Sequence, residues 1–399
     1  MTRKPVCLLA VIAMPGLKND PNISLVLDQD VVIADGDGTM TITLLSPVED
    51  SVRHVTEVQV SSSVCLKSSY LRTIINVAKD PTDITLGGGL KGQSDGIHKE
   101  GALVWLAHLH SLSSERMMEL ALNKVSVVAV WEAIQLWVHL EKRNDIKDLQ
   151  GWFNELYDTT FSRMDLDVYI AGLLVFPCQV FDHAVGFARM TKHLAYNHQG
   201  AIKEQRPKGI KLKTHHLAPN DFIGLMNHAR GGLKSTIHKH MWKKANNVLR
   251  FETTKCSCWD ATIGQYLAAL VRIDAFTIED ALQRSSFHEI LDRMKDFSFD
   301  YNPECRRCRS IDWVYVVQMT RQAAQAYFDG LCLDCMDRSK PEGKEMDDEY
   351  WRINASVENR WDSRCRVQHK QATWYVSWLG RDDIRQKLLR GSNVDEEEE

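Results

Sequence analysis

Most of the cysteines in this chain stand in close pairs toward its C-terminal end. Seven of the ten lie after residue 255 and, with one histidine, give eight candidate ligands: Cys256, Cys258, Cys305, Cys308, Cys332, Cys335, Cys365 and His369. Thiolates and imidazoles suit zinc, and two such pairs complete one tetrahedral structural site. The ligands therefore predict two structural zinc sites. Reduced cysteines packed in a core, or a disulfide between neighbouring cysteines, are the alternatives.

The spacing between the pairs limits which of them can share an ion. Residues 310–328 have helical apolar spacing and contain neither Pro nor Gly. A helix of about 18 residues is roughly 27 Å long, whereas thiolates that bind one zinc ion lie only about 4 Å apart. Unless it is broken, this helix keeps the Cys305 pair and the Cys332 pair on different ions.

The chain between the first two pairs predicts a different combination. Residues 259–273 form a helix leading away from Cys258, and residues 278–297 form helical sequence returning toward Cys305. Antiparallel packing of these segments brings the Cys256 pair to the Cys305 pair. The Cys332 pair is then left to share an ion with Cys365 and His369.

The sequence predicts no catalytic and no cofactor-binding residue. A four-ligand zinc site leaves no open position for water or substrate. The glycine-rich loop at 87–96 lacks the lysine-then-hydroxyl ending of a phosphate-binding loop. The other candidates are interpreted as buried cysteines (Cys7, Cys65, Cys178), core tryptophans (Trp105, Trp131, Trp137, Trp152) and solvated histidines (His215, His216, His238, His240). We therefore expect a protein that is not an enzyme.

The composition is that of a globular protein with two or three domains. The chain has 399 residues, 26% charged and 44% hydrophobic, with a net charge of −4, which excludes collagen, coiled coil and wholesale disorder. No stretch approaches the roughly 20 apolar residues that span a bilayer. Residues 6–14 are similar to a weak signal sequence but lack a cleavage site. We predict an intracellular protein, in the cytoplasm or nucleus.

Sequence periodicity divides the chain into five segments. A disordered or strand-forming lead-in covers 1–33 and precedes an α+β domain at 34–160, with strands at 39–45, 55–60 and 83–86 and helices from 61 and over 101–160. A helical middle region covers 161–250, a cysteine-rich helical region covers 251–390, and a disordered acidic tail covers 391–399.

The middle region carries most of the positive charge. Residues 201–250 contain eleven Lys or Arg and two acidic residues, a net charge of +9. We expect an exposed loop followed by a long basic helix over 225–249. Earlier in this region Pro177 is expected to break or begin an element.

Three stretches of sequence resemble a known family. The run TMTITLL at 39–45, the run VTEVQVSSSVCLKSSYLRTII at 55–75 and the helical sequence at 105–138 resemble the BTB/POZ domain. The C-terminal segments at 327–341 and 365–381 are similar to those of a BTB/POZ group expanded in filamentous fungi. The predicted fold class is an α+β N-terminal BTB/POZ-like domain followed by a mainly α-helical region with structural zinc sites.

The resemblance implies a non-enzymatic protein–protein interaction module or adaptor. Such domains form homodimers or recruit cullin-type ubiquitin ligases and transcriptional regulators, without a membrane partner. The apolar residues between Leu103 and Leu122 supply a candidate dimer face. The alternative is a nucleic-acid-binding transcriptional regulator that uses the basic segment 201–250. We rank it second because only Phe222 and Trp242 interleave aromatic rings with those charges. A zinc-dependent enzyme is the third possibility.

Overall fold

The computed structural model separates the chain into two compact units. Unit 1 comprises residues 1–165 and 206–218, and unit 2 comprises residues 166–205 and 219–399. The structure describes residues 24–28, 30–34, 40–48, 51–87, 96–140, 147–212, 214, 222–251, 256, 258–334 and 365–367. The predicted signal-like run, most of the glycine-rich loop and the acidic tail lie outside these residues, as do Cys7, His215, His216, Cys335 and His369.

Unit 1 contains a five-stranded mixed sheet. Its strands are β1 (Ser24–Leu27), β2 (Val31–Val32), β3 (Met40–Leu45), β4 (Val52–Val60) and β5 (Asp83–Leu86). The order is β1-β4-β3-β5, and β2 also pairs with β4. Only the β3–β4 pair is antiparallel, with Ile42 opposite Val58. The three predicted strands are confirmed, and two short strands form within the predicted lead-in.

Six helices accompany this sheet in the described part of unit 1. They are α1 (Ser62–Cys65), α2 (Ser69–Val77), α3 (Lys99–Leu109), α4 (Ser114–Glu119), α5 (Val127–Leu140) and α6 (Lys147–Thr159). Residues 101–107 of α3 are all buried, and α3 packs against α5. The core prediction for the four tryptophans is confirmed, since each is at most 8% exposed.

The apolar residues expected to supply a dimer face mostly belong to this core. Leu103, Leu106 and Met117 are buried, and so is Leu122. Leu109 and Leu120 are half-buried, and Met118 is 48% exposed. Most of the apolar residues between Leu103 and Leu122 are therefore buried within unit 1 and do not form an exposed face.

The regular elements in the described part of unit 2 are all helices. Its helices are α7 (Val168–Val180), α8 (Ala184–Asn197), α9 (Phe222–Phe251), α10 (Trp259–Arg272), α11 (Ile278–Arg284), α12 (Phe287–Arg293), α13 (Arg306–Arg309) and α14 (Trp313–Gln325). Helix α7 packs on α8, and α9 packs on α14. The long basic helix is thus confirmed. No helix in the described ranges combines the length and apolarity needed to cross a bilayer.

The prediction that Pro177 breaks or begins an element is wrong. Pro177 lies inside α7, and the chain turns only at Asp182, whose φ is 53°. Residues 171–178 are all buried. Their packing outweighs the single helical hydrogen bond that a proline removes. The break instead occurs where His183 caps α8 by accepting a hydrogen bond from the Gly186 N–H, with a distance of 2.9 Å.

The segment expected to return as one helical run is divided. Helices α11 and α12 are separated at Ser285, and a 3-10 turn at Met294–Asp296 follows. Ser286 begins α12 with a capping box, in which its hydroxyl accepts from the Glu289 N–H at 3.3 Å and its own N–H donates to the Glu289 carboxylate at 2.6 Å. This reciprocal cap favours a new helix start over continuation of the old one.

Candidate metal centre

Two cysteine pairs that lie far apart in the sequence of unit 2 bring their sulfur atoms close together. Cys256 and Cys258 lie just before α10, while Cys305 and Cys308 lie at the start of α13. The Sγ atoms of Cys256 and Cys308 are 3.2 Å apart, and those of Cys258 and Cys305 are 3.3 Å apart. All four sulfurs lie within 4.8 Å of one another. We call this group the four-cysteine site; the predicted meeting of these two pairs is confirmed.

The sulfur separations are those of reduced thiols rather than disulfides. All four cysteines are free, and a disulfide would require sulfurs about 2.05 Å apart. Four thiolates arranged tetrahedrally around zinc, with bonds near 2.3 Å, would have sulfurs about 3.8 Å apart. The observed 3.5 Å between Cys256 and Cys258 is close to that edge length. An ion of this size therefore requires only a small outward shift of the sulfurs.

Hydrogen bonds favour a thiolate at one position of the site. The backbone N–H of Cys308 donates to the Cys305 Sγ at 3.3 Å. This bond, with the thiol of Cys258, lowers the pKa of Cys305 to about 6. Burial acts in the opposite direction at Cys308 and raises its pKa. The site thus offers one sulfur that is already a good ligand, because thiolates rather than thiols bind metal.

The loop that carries Cys258 is held by its own helix. The Thr262 hydroxyl donates to the Cys258 carbonyl at 2.8 Å, and Thr262 and Trp259 are buried. Tyr266, one turn further along α10, stacks on Trp313 of α14 with ring centroids 4.3 Å apart. The first cysteine pair is therefore attached to the same aromatic core as the helix that follows the second pair.

A second group of candidate ligands differs from the predicted set. The ligand atoms of Cys332, Asp334 and Cys365 lie within 4.8 Å of one another. We call these three residues the second cluster. Cys332 and Cys365 were expected together, whereas Asp334 was missed because a single aspartate carries no spacing signal. The other two predicted ligands, Cys335 and His369, lie outside the described residues.

The carboxylate of Asp334 already has a cationic partner. It accepts hydrogen bonds from Arg366, at 2.9 Å from Nε, 2.7 Å from Nη2 and 2.6 Å from the backbone N–H. The guanidinium also forms a fork with Asp182, and the two carboxylates raise the pKa of Arg366. The Asp334 carboxylate is therefore engaged by Arg366, which makes it a weaker candidate for a metal ligand than the two cysteines.

Four of the other candidate cysteines and histidines lie in the described part of the chain: Cys65, Cys178, His238 and His240. Cys65 and Cys178 are fully buried, as predicted, and burial raises the pKa of both thiols, to about 12 for Cys65. His240 contacts the Thr236 carbonyl through Nδ1 at 2.8 Å, and the His238 ring lies 6.3 Å from that of Trp242. Neither histidine belongs to a ligand group found among the described residues.

Part of the basic segment is built into the fold. Arg230 is buried, and its Nη1 donates to the carbonyls of Ala195 and His198 at 2.8 and 2.7 Å. Burial lowers the pKa of Arg230 to about 10. Lys234 pairs with Glu279 at 3.3 Å. Arg230 and Lys234 therefore bind groups of α8 and α11 within unit 2. In contrast, Lys239, Lys243 and Lys244 are exposed.

Comparison with known proteins identifies no relative. No family model, no curated protein and no solved structure matches this chain. The BTB/POZ resemblance therefore stays a prediction. Function has to be argued from the geometry of the cysteines and from the two units that surround them.

Proposed function

We propose that this chain is a non-enzymatic interaction protein whose unit 2 is stabilised by a structural zinc ion at the four-cysteine site. The observation that carries the proposal is the meeting of four sulfurs from pairs about 50 residues apart in sequence (the Cys256–Cys308 contact spans 52 positions). Four reduced sulfurs within 4.8 Å of one another support a ligand set over cysteines that merely pack in a core.

The chemistry of the donors supports zinc. Soft thiolates in a tetrahedral arrangement bind zinc or iron, whereas calcium and magnesium require oxygen ligands. A site with four protein ligands has no open coordination position, which supports a structural use over a catalytic one. When bound, the ion would cross-link the entrance of α10 to the start of α13.

The interaction role is proposed from unit 1. Its two paired strands β3 and β4, the helices α1 and α2, the strand β5 and the helices that follow have the order expected for a BTB/POZ-like domain. We propose that this unit mediates self-association or recruits a cullin-type ligase or a transcriptional regulator. With most of the Leu103–Leu122 apolar residues buried, a dimer would have to use other surfaces as well as Met118.

Nucleic-acid binding is the second candidate. The exposed lysines Lys239, Lys243 and Lys244 of α9 support it. The structural roles of Arg230 and Lys234 weaken it, because these side chains are engaged within unit 2. We expect only non-specific binding at physiological salt, with affinities of about 10⁻⁴–10⁻⁶ M that fall steeply as salt rises. A nanomolar, sequence-selective complex would reverse this ranking.

Metal analysis of the full-length protein tests the zinc proposal. Protein purified under reducing conditions should contain zinc, and Cys305→Ser should lose the ion of the four-cysteine site. The matched control is Cys65→Ala, which removes a buried thiol from unit 1 and should leave the zinc content unchanged. Absence of zinc from the wild-type protein, or iron in its place, would contradict the proposal.

A further inference from the structure

Residues 328–334, which carry Cys332, are fixed firmly to α8. The Leu331 N–H donates to the Thr191 hydroxyl at 2.8 Å, and Lys192 pairs with Asp329 at 3.2 Å. Gly330 has a φ of 98° and passes so close to α8 that an added Cβ would lie 2.1 Å from the Ala188 carbonyl oxygen. Cys332 is 1% exposed. The segment that carries this thiol is therefore held against α8 by backbone and side-chain contacts.

Cys365 is positioned beside Cys332 by the contacts of the residue that follows it. Its neighbour Arg366 donates from Nη1 and Nη2 to the two carboxylate oxygens of Asp182, at 2.8 and 2.6 Å. Nη1 also donates to the Asp182 carbonyl at 3.0 Å. Asp182 occupies the corner between α7 and α8, which is secured by the bond from the His183 N–H to the Cys178 carbonyl at 2.8 Å.

The same guanidinium also binds the segment that contains Cys332. Nε and Nη2 donate to one oxygen of Asp334, and the backbone N–H of Arg366 donates to the other. One side chain thus joins three parts of unit 2: the α7–α8 corner, residue 334 and the segment 365–367. Isolated surface ion pairs contribute little, but a forked arginine between two carboxylates is geometrically specific.

We propose that Arg366 is a positioning residue that holds the Cys365 thiol beside Cys332, and that these two sulfurs belong to a second soft-metal site. The role of Asp334 in this proposal is to bind Arg366, from which it accepts three hydrogen bonds. The inference extends the proposed function, since it assumes that unit 2 binds a zinc-class ion. It assigns a role to an arginine and two aspartates that no cysteine spacing predicts.

Cobalt titration of the reduced, metal-free full-length chain tests the inference. Co²⁺ bound by thiolates gives visible absorption and a sulfur-to-metal charge-transfer band, so each site can be followed directly. The wild-type protein should bind two equivalents, and Cys305→Ser should retain one. Arg366→Ala should keep the first equivalent and bind the second about 10- to 100-fold more weakly, the usual effect of losing a residue that orients metal ligands.

Two further variants separate positioning from general damage. Arg366→Lys keeps the charge but not the fork, so it should not restore the wild-type affinity for the second equivalent. Arg284→Ala removes the exposed ion pair with Asp274 at 2.7 Å and should leave both equivalents unchanged. Retention of the first equivalent in Arg366→Ala shows that the variant is folded.

The possible failures are distinguishable. Two equivalents with unchanged affinity in Arg366→Ala would overturn the role of Arg366. A single wild-type equivalent that disappears in Cys305→Ser would refute the second site and leave the four-cysteine proposal intact. A single equivalent that survives Cys305→Ser but disappears in Cys332→Ser would refute the four-cysteine proposal instead. No cobalt binding at all would contradict both.

Discussion

Unit 1 and the cysteine region of unit 2 differ in how much of their sequence is buried. In unit 1, seven consecutive residues of α3 are buried, and α3 and α5 share a core of aliphatic and tryptophan side chains. In the segment 300–312 of unit 2, only Pro303 and Cys308 are buried, and the single helix there, α13, has four residues. Apolar burial can maintain the first region, whereas the proposed zinc ion at the four-cysteine site would maintain the second.

The contrast shows why the same kind of change should have different consequences in the two units. A packed core loses stability in proportion to the contacts and volume removed. A metal cross-link is lost all at once, because binding free energy and folding free energy are the same quantity in such a site. Substitutions and chelation can therefore be used to assign each unit its source of stability.

Removal of the metal should produce the largest effect and confine it to unit 2. Structural zinc binds small domains with about 10–16 kcal/mol of apparent free energy at pH 7. A strong chelator should therefore greatly increase amide hydrogen exchange around Cys256–Cys258 and in residues 300–312, while α3 and α5 keep their protection. Cys65→Ala serves as the control and should respond to chelator as the wild type does. Equal loss of protection in both units, or in neither, would contradict the comparison.

Truncation of a core leucine should have the next largest effect, in unit 1. Leu106 is fully buried in α3, and Leu106→Ala should lower the free energy of unfolding by about 2–5 kcal/mol. Calorimetry combined with metal analysis checks this, since the zinc content should not change. The control Met118→Ala alters a side chain that is 48% exposed and should change stability by no more than about 0.5 kcal/mol. A loss of zinc in Leu106→Ala would show that the two units do not behave separately.

The third prediction concerns a carboxyl group inside the unit 1 core. Glu132 of α5 is 3% exposed, its Oε1 has no hydrogen-bond partner in the part of the chain that the structure describes, and burial raises its pKa to about 7. It lies against α3 at Gly101, where an added Cβ would be 2.5 Å from the Glu132 Cβ. The two helices therefore approach closely at the base of the Glu132 side chain.

The direction of the pH effect follows from that raised pKa. Between the unfolded value near 4.5 and the folded value near 7, the folded state binds the extra proton, so stability falls as pH rises through this window and levels off above it. The contribution is on the order of 3 kcal/mol. Glu132→Gln should flatten this dependence and stabilise unit 1 more at pH 8 than at pH 5. Urea unfolding at several pH values measures it; identical pH slopes for both proteins would contradict the assignment.

The smallest predicted effect tests the helix start at α12 in unit 2. Ser286→Ala removes the hydroxyl that accepts the Glu289 N–H and should cost about 1 kcal/mol. Ser286→Asn preserves a capping acceptor and should cost less. Both variants should retain zinc, because the cap lies outside the four-cysteine site. Thermal unfolding of the three proteins provides the measurement, and an alanine variant as stable as the wild type would exclude a role for this cap.

The sequence predicted the elements that have local signals. Alternation located β3 and β4, and helical apolar spacing without Pro or Gly located α14, although that helix begins at Trp313 and not at residue 310. The length of the helix predicted at 310–328 separated the Cys305 pair from the Cys332 pair. The helical segments predicted to pack antiparallel, 259–273 and 278–297, then brought the Cys305 pair to the Cys256 pair. That success came from spacing, which is a local property.

The features that were missed depend on tertiary contacts. Arg366 and Asp182 are 184 positions apart, and neither residue stands in a recognisable motif. Pro177 was misjudged because burial on all sides of α7 is a property of the packed unit. The division between α11 and α12, by contrast, does have a local signal, because Ser286 followed by Glu289 is the sequence signature of a capping box.

X-ray absorption at the zinc edge tests the central claim most directly. The protein to measure is the full-length double variant Cys332→Ser, Cys365→Ser, purified under reducing conditions, in which only the four-cysteine site remains complete. The account predicts one zinc ion per chain, surrounded by four sulfur atoms at about 2.3 Å and by no nitrogen or oxygen. A variant without zinc, or a zinc ion with fewer than four sulfur neighbours, would contradict it.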